Sequence, residues 1–213
     1  MKLSLEDFIY ECNYKGKKET WIYAGDEEYR FVLGKCGTNP LICFGINPSN
    51  ACITGIRDKS DYPTVKSDPT MYRVRNITRI LGFDGYIMLN ICPYINKNPS
   101  ALKEISDEYS YEKNVLNMTY IEKVFEKYSD SRVLWACWGK SIVNANFLIQ
   151  SLEQINEVAE KHNMIWKTVK WTIVEPRHPH HPLRISNDEV LRAKKEFYYV
   201  DMAQYIRMLK GEK

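Results

Sequence analysis

The sequence predicts a three-layer α/β/α fold with a mostly parallel central sheet, built as a single domain over residues 1–213. Two patterns point to it. Short, continuous apolar runs alternate with longer stretches of helical periodicity, and such runs mark strands covered on both faces. Each run also stops abruptly at polar, glycine or proline residues, where a strand hands over to a loop. The 44 % apolar content is enough to bury a core.

The elements follow in order. Glu19–Gly25 and Tyr29–Gly37 read as a hairpin turning at Asp26-Glu27-Glu28, so the chain opens with an N-terminal hairpin at about 19–37. Pro40–Ile46 is the first buried strand, ending in Asn47-Pro48-Ser49-Asn50. A polar loop runs from Ala51 to about Lys66. A helix starts at Pro69 with Ser67 or Asp68 as its cap, turns Met71, Val74, Ile77, Thr78 and Leu81 inward, and closes at Gly82. Tyr86–Leu89 is the next strand, ending in Asn90-Ile91-Cys92-Pro93-Tyr94. A helix over Tyr111–Lys127 turns Val115, Met118, Ile121, Val124 and Phe125 inward. Arg132–Trp138 is a third strand, stopped by Gly139, and a helix follows over Ala145–His162. Trp166–Val174 is the last strand, and one closing helix spans Asp188–Leu209. Parallel strands would bring all four strand-end loops to one edge, where α/β sheets bind ligands.

Composition narrows the classes. No run approaches the ~18 apolar residues of a membrane span, and acidic residues stand where a leader would need an apolar stretch, so a cytoplasmic location is expected. The six cysteines form no Cys-x-x-Cys pair and read as buried thiols. A net charge of +3 neither demands nor excludes a polyanion. Arg177-His178-Pro179-His180-His181-Pro182 holds three of the four histidines. His-x-His-His offers two metal ligands, but no acidic residue or cysteine is close by, and neither metal nor cofactor is expected.

The strand ends carry a resemblance. Gly45-Ile46-Asn47-Pro48-Ser49, Leu89-Asn90-Ile91-Cys92-Pro93, Trp138-Gly139 and His178-Pro179 resemble, in order, the motifs of the uracil-DNA glycosylase superfamily. Within it, Asn47-Pro48-Ser49, Asp68-Pro69-Thr70, Trp138-Gly139 and His181-Pro182-Leu183 look like the DUF1643 family. The likeness covers about residues 40 to 186.

That resemblance implies a uracil-DNA glycosylase-like fold. It also implies a cleft that recognises a nucleobase, with nucleic acid or a nucleotide as partner and N-glycosidic hydrolysis as the possible reaction. Asn90 would read the base edge, since one amide offers both a donor and an acceptor. His178 would stabilise the leaving anion, with His181 as the alternative. Asn47 would position water, or serve only as a turn before Pro48. Asp68 would supply a carboxylate, or serve only as the helix cap. Stacking falls to Phe44, Tyr72 or Tyr94. Ser49, Arg177, His181, Leu183 and Arg184 would contact nucleic acid, with Leu183 as a wedge. The loop lacks the usual serine after His-Pro, so single-stranded nucleic acid or a free nucleotide remains open, as does a binding module without turnover.

Overall fold

The computed structural model describes residues 3–56, 63–96, 102, 107–195 and 197–212. The chain is a mixed α/β protein. Its strands are β1 (Ile9–Tyr14), β2 (Lys17–Gly25), β3 (Arg30–Lys35), β4 (Pro40–Gly45), β5 (Cys52–Thr54), β6 (Thr64–Lys66), β7 (Gly85–Asn90), β8 (Val133–Ala136), β9 (Ile165–Thr168) and β10 (Tyr198–Tyr199). Its helices are α1 (Pro69–Leu81), α2 (Asp107–Lys127), α3 (Asn146–Lys161), α4 (Asn187–Lys195) and α5 (Met202–Lys210).

All the strands form one sheet in the order β10-β9-β8-β4-β7-β3-β2-β1-β6-β5. The sheet is not mostly parallel. Only β7-β4-β8-β9 forms a parallel block, with one further parallel bridge between β1 and β6. The β10-β9, β7-β3, β3-β2, β2-β1 and β6-β5 pairs are antiparallel. The reason is the N-terminal half: tight connections fold it back on itself, which only antiparallel neighbours allow. The β1–β2 turn uses Lys15 at φ 51° and Gly16 at φ 79°, with the Gly16 N–H donating to Asn13 Oδ1 at 2.9 Å. A lysine in left-handed conformation is a weak sequence signal, and β1 lay outside the expected hairpin.

Different helices cover the two faces. Strand side chains alternate between faces. Ile42, Phe44, Ile87, Leu89, Leu134 and Trp166 pack with α2, α3 and α5. Leu41, Cys43, Tyr86, Met88 and Trp135 pack with α1 and α4. Helix α1 forms as expected: the Asp68 carboxylate accepts the Met71 N–H at 2.8 Å, Pro69 opens the first turn, and Gly82 closes it at φ 94°. Arg73 then ties α1 to the start of α4, donating to the Ile185 carbonyl at 2.5 Å and to Asn187 Oδ1 at 2.6 Å.

Four other expectations change. Val115 is exposed, because α2 turns Asn117 inward beside the expected Ile121. The last strand ends at Thr168 rather than Val174. The chain then doubles back, with Trp171 bridging to Pro179 and Ile173 and Val174 in solvent. The single closing helix is two helices, interrupted by edge strand β10 paired on β9. The polar loop at 51–66 contains β5 and β6, and its residues 57–62 lie outside the described residues. The six cysteines are free thiols. Among the described residues no helix is long and apolar enough to cross a membrane.

A buried polar cluster fixes the histidine loop. The Trp138 indole N–H donates to Tyr205 Oη at 3.1 Å, and the same hydroxyl shares a hydrogen bond with His178 Nδ1 at 2.8 Å. Burial, then the nearby Lys140, lowers the His178 pKa and so favours the neutral ring. Tyr205→Phe strands both nitrogens without a partner. It is expected to cost roughly 2 kcal/mol of unfolding free energy by urea denaturation; a midpoint equal to wild type would mean that the cluster does not hold the loop.

Candidate functional site

The parallel block determines where its strands end. Gly45 pairs beside Asn90, and Phe44 beside Ala136 on the other flank of β4. The pairing continues past the strands, with Ile91 N donating to Gly45 O, Cys92 N to Ile46 O and Cys137 N to Phe44 O. The loops after β4, β7 and β8 therefore leave the sheet at one level. There they meet the N-terminus of α1 and the segment 180–184 around a cleft of about 580 Å³.

The sheet contributes Gly45, Met88, Asn90 and Cys137 to the cleft floor, all on the face that α1 and α4 cover. Arg30, Ile46, Asn47 and Ser49 form one wall, and Asp68, Thr70 and Met71 enter from α1. Trp138, Gly139, Lys140 and Ser141 come from the β8 loop. His180, His181, Pro182 and Arg184 complete the lining from the segment before α4.

Asn90 is the most constrained of these. It is 1 % exposed, and its Nδ2 is buried without a hydrogen-bond partner among the described residues. Its backbone carbonyl accepts Asn117 Nδ2 from α2 at 3.0 Å, which anchors the strand end. A Cβ at position 45 would lie 3.1 Å from Asn90 Oδ1, so glycine there leaves room for the amide.

His181 caps the short 3-10 turn at Pro182–Arg184, its Nδ1 accepting the Leu183 N–H at 3.4 Å. The neutral tautomer this implies carries its proton on Nε2. Burial lowers the pKa of His181 against the opposing pull of Asp68, so the neutral form dominates at neutral pH. His180 is likewise lowered, by burial first and then by Lys170. One of its ring nitrogens bonds the Arg184 backbone, while Nδ1 is buried without a partner among the described residues. Two residues that line the cleft thus carry buried polar atoms without a partner among the described residues, Asn90 Nδ2 and His180 Nδ1.

The family follows from a comparison with known families. A model described as a protein of unknown function, DUF1643, matches residues 30–183. The chain belongs to the DUF1643 family. No curated protein and no solved structure matches it. The DUF1643 match begins at Arg30 on one cleft wall and ends at Leu183 beside the other, so it takes in all of the cleft described above except Arg184.

In this DUF1643 protein the expected site residues separate into two groups. Asn47, Ser49, Asp68, Asn90, His181 and Arg184 line the cleft. His178 does not: its ring is buried against Tyr205, leaving His181 and His180 to face the cleft. Phe44 is fully buried on the opposite face, as alternation along β4 requires. Tyr72 is exposed on α1 and carries Lys15 over its ring, and Tyr94 packs against Tyr29. None of these three aromatics lines the cleft; Trp138 does. Arg177 is exposed and paired with Glu175, and Leu183 is exposed outside the cleft lining. The three histidines diverge to Tyr205, Arg184 and Leu183, and among the described residues no metal-holding group of three or more His, Cys, Asp or Glu side chains occurs.

Asn47 and Asp68 have structural duties as well. Asn47 Nδ2 faces the carbonyls of Asn96 at 2.7 Å, Pro48 at 3.1 Å and Tyr94 at 3.3 Å, stitching the β4 loop to the β7 loop. Asp68 caps α1 with one oxygen and accepts the Ser49 hydroxyl with the other. Asn47→Asp replaces a donor by a carboxylate facing carbonyl oxygens. It is expected to lower stability by roughly 1–3 kcal/mol in thermal or urea unfolding; a variant as stable as wild type would show that the amide does not join the loops.

Sequence reasoning missed Arg30, His180, Lys140 and Asn117. Arg30 had a signal, a lone charge inside the apolar run Tyr29-Arg30-Phe31-Val32-Leu33. Asn117 had another, an amide on the inward face of α2 four residues before Ile121.

Proposed function

We propose that the cleft recognises a pyrimidine-type nucleobase presented by a nucleic acid or nucleotide, and hydrolyses its N-glycosidic bond as a uracil-DNA glycosylase-like enzyme does. The observation that carries this reading is the buried amide nitrogen of Asn90, a residue on the cleft floor, which has no partner among the described residues. An imide edge supplies what it lacks: a carbonyl oxygen accepts from Nδ2, and the adjacent ring N–H finds an acceptor in the unpaired His180 nitrogen.

The chemistry assigns His181 next. As the bond from C1′ to the ring nitrogen breaks, its electron pair leaves with the base and builds negative charge on a base carbonyl. A neutral imidazole donating from Nε2 stabilises that oxygen without first giving up its proton. The sugar becomes oxocarbenium-like, water adds at C1′, and a proton is lost from that water. Asp68 is the one carboxylate among the described lining residues, and in this reading it faces the sugar cation and receives the proton.

A second reading has its own support. Asn47 Nδ2 is committed to backbone carbonyls, and both Asp68 oxygens already accept hydrogen bonds. A cleft with no free water-activating group would bind the base without releasing it.

One assay separates the readings. Single- and double-stranded oligonucleotides carrying uracil or an oxidised pyrimidine are incubated with the protein, and abasic sites are measured. The enzyme reading expects abasic sites, with rates falling about a hundredfold or more in Asn90→Ala and His181→Ala. Binding without abasic sites supports the second reading. Neither binding nor abasic sites with any of these substrates overturns both.

A further inference from the structure

Arg30 is a buried cation on the wall of the cleft. It leaves β3 at 3 % exposure, donates from Nη1 to the Ala51 carbonyl at 2.8 Å, and has no partner for Nε among the described residues. The ion pairs among the described residues, which include Arg75–Glu19 and Lys170–Glu189, do not include it. Burial pushes its pKa down to about 10 even against the pull of Asp68, so it keeps its charge at neutral pH in an environment that disfavours charge. Interior cations are ordinarily paired.

The surroundings share the imbalance. Among the described lining residues, Arg30, Lys140 and Arg184 are cationic and Asp68 alone is anionic. A guanidinium presents planar donors suited to an oxyanion, and it does so most strongly where water is excluded.

We propose that Arg30 is the centre of an oxyanion subsite in this cleft, which holds a phosphate group of the ligand. The subsite stands on Arg30 alone; naming the ligand as a nucleotide, rather than a bare base or nucleoside, rests on the base-recognition reading above. The arrangement is then a base edge against Asn90 and a phosphate against Arg30.

The test compares pseudouridine 5′-monophosphate with pseudouridine by titration calorimetry, because the carbon–carbon glycosidic bond of both resists hydrolysis. The phosphate is expected to tighten binding about tenfold or more, and Arg30→Met to bring the ratio of the two affinities close to one. If Arg30→Met does not fold, the Arg30 Nε–H resonance of the wild-type protein serves instead: inorganic phosphate is expected to shift it saturably, and acetate far less. Equal affinities in wild type, a difference that survives in Arg30→Met, or an unmoved Nε–H overturns the subsite. Binding of inorganic phosphate through Arg30 with no binding of pseudouridine or uracil would sustain the subsite and remove the base reading.

Discussion

An amide nitrogen sealed at the end of a strand without an acceptor carries an unfavourable free energy of roughly 1–3 kcal/mol. In this protein that nitrogen belongs to Asn90, and the elements around it hold it in place. Parallel pairing with β4 sets Gly45 beside it, with no side chain to crowd Oδ1. Asn117 holds its carbonyl from the opposite helix layer. Its Nδ2 has no acceptor among the described residues. In the proposed reading, a group that enters the cleft supplies that acceptor.

The side of the sheet then decides which residues share that cleft. Gly45, Met88, Asn90 and Cys137 all face α1 and α4, so the N-terminus of α1 and the 180–184 segment complete the walls. Phe44, one residue before Gly45, faces α2 and α3 and serves the core alone. The histidine loop divides in a similar way. Tyr205, on α5, binds the first histidine from the far side, and the short turn opened by Pro182 leaves the last two on the cleft. Each wall also has a structural anchor: Arg73 ties α1 to α4, and Asn47 ties the β4 loop to the β7 loop.

Much of this was legible in the sequence, for local reasons. The buried strands β4, β7 and β8 announced themselves as continuous apolar runs, and α1 by its cap, proline and closing glycine. That the loops after β4, β7 and β8 meet was legible because parallel strands leave no alternative. The N-terminal sheet was less visible, since β1 depends on a lysine taking a left-handed turn and β5 and β6 are short and half-polar. The choice among histidines was not legible at all: it depends on Tyr205, distant in sequence, and no local rule reports which ring a far helix will bind. Arg30 was passed over because a charge within a strand reads as an edge or surface position until the fold buries it.

The most direct measurement is the side-chain amide resonance pair of Asn90 in ¹⁵N-labelled protein during titration with uracil. A ligand carbonyl that accepts from Nδ2 should move this pair saturably, in step with resonances of His180 and His181. An Asn90 pair that stays fixed while other cleft resonances shift, or a protein that does not bind the base at all, would contradict the assignment of this amide as the base-reading group.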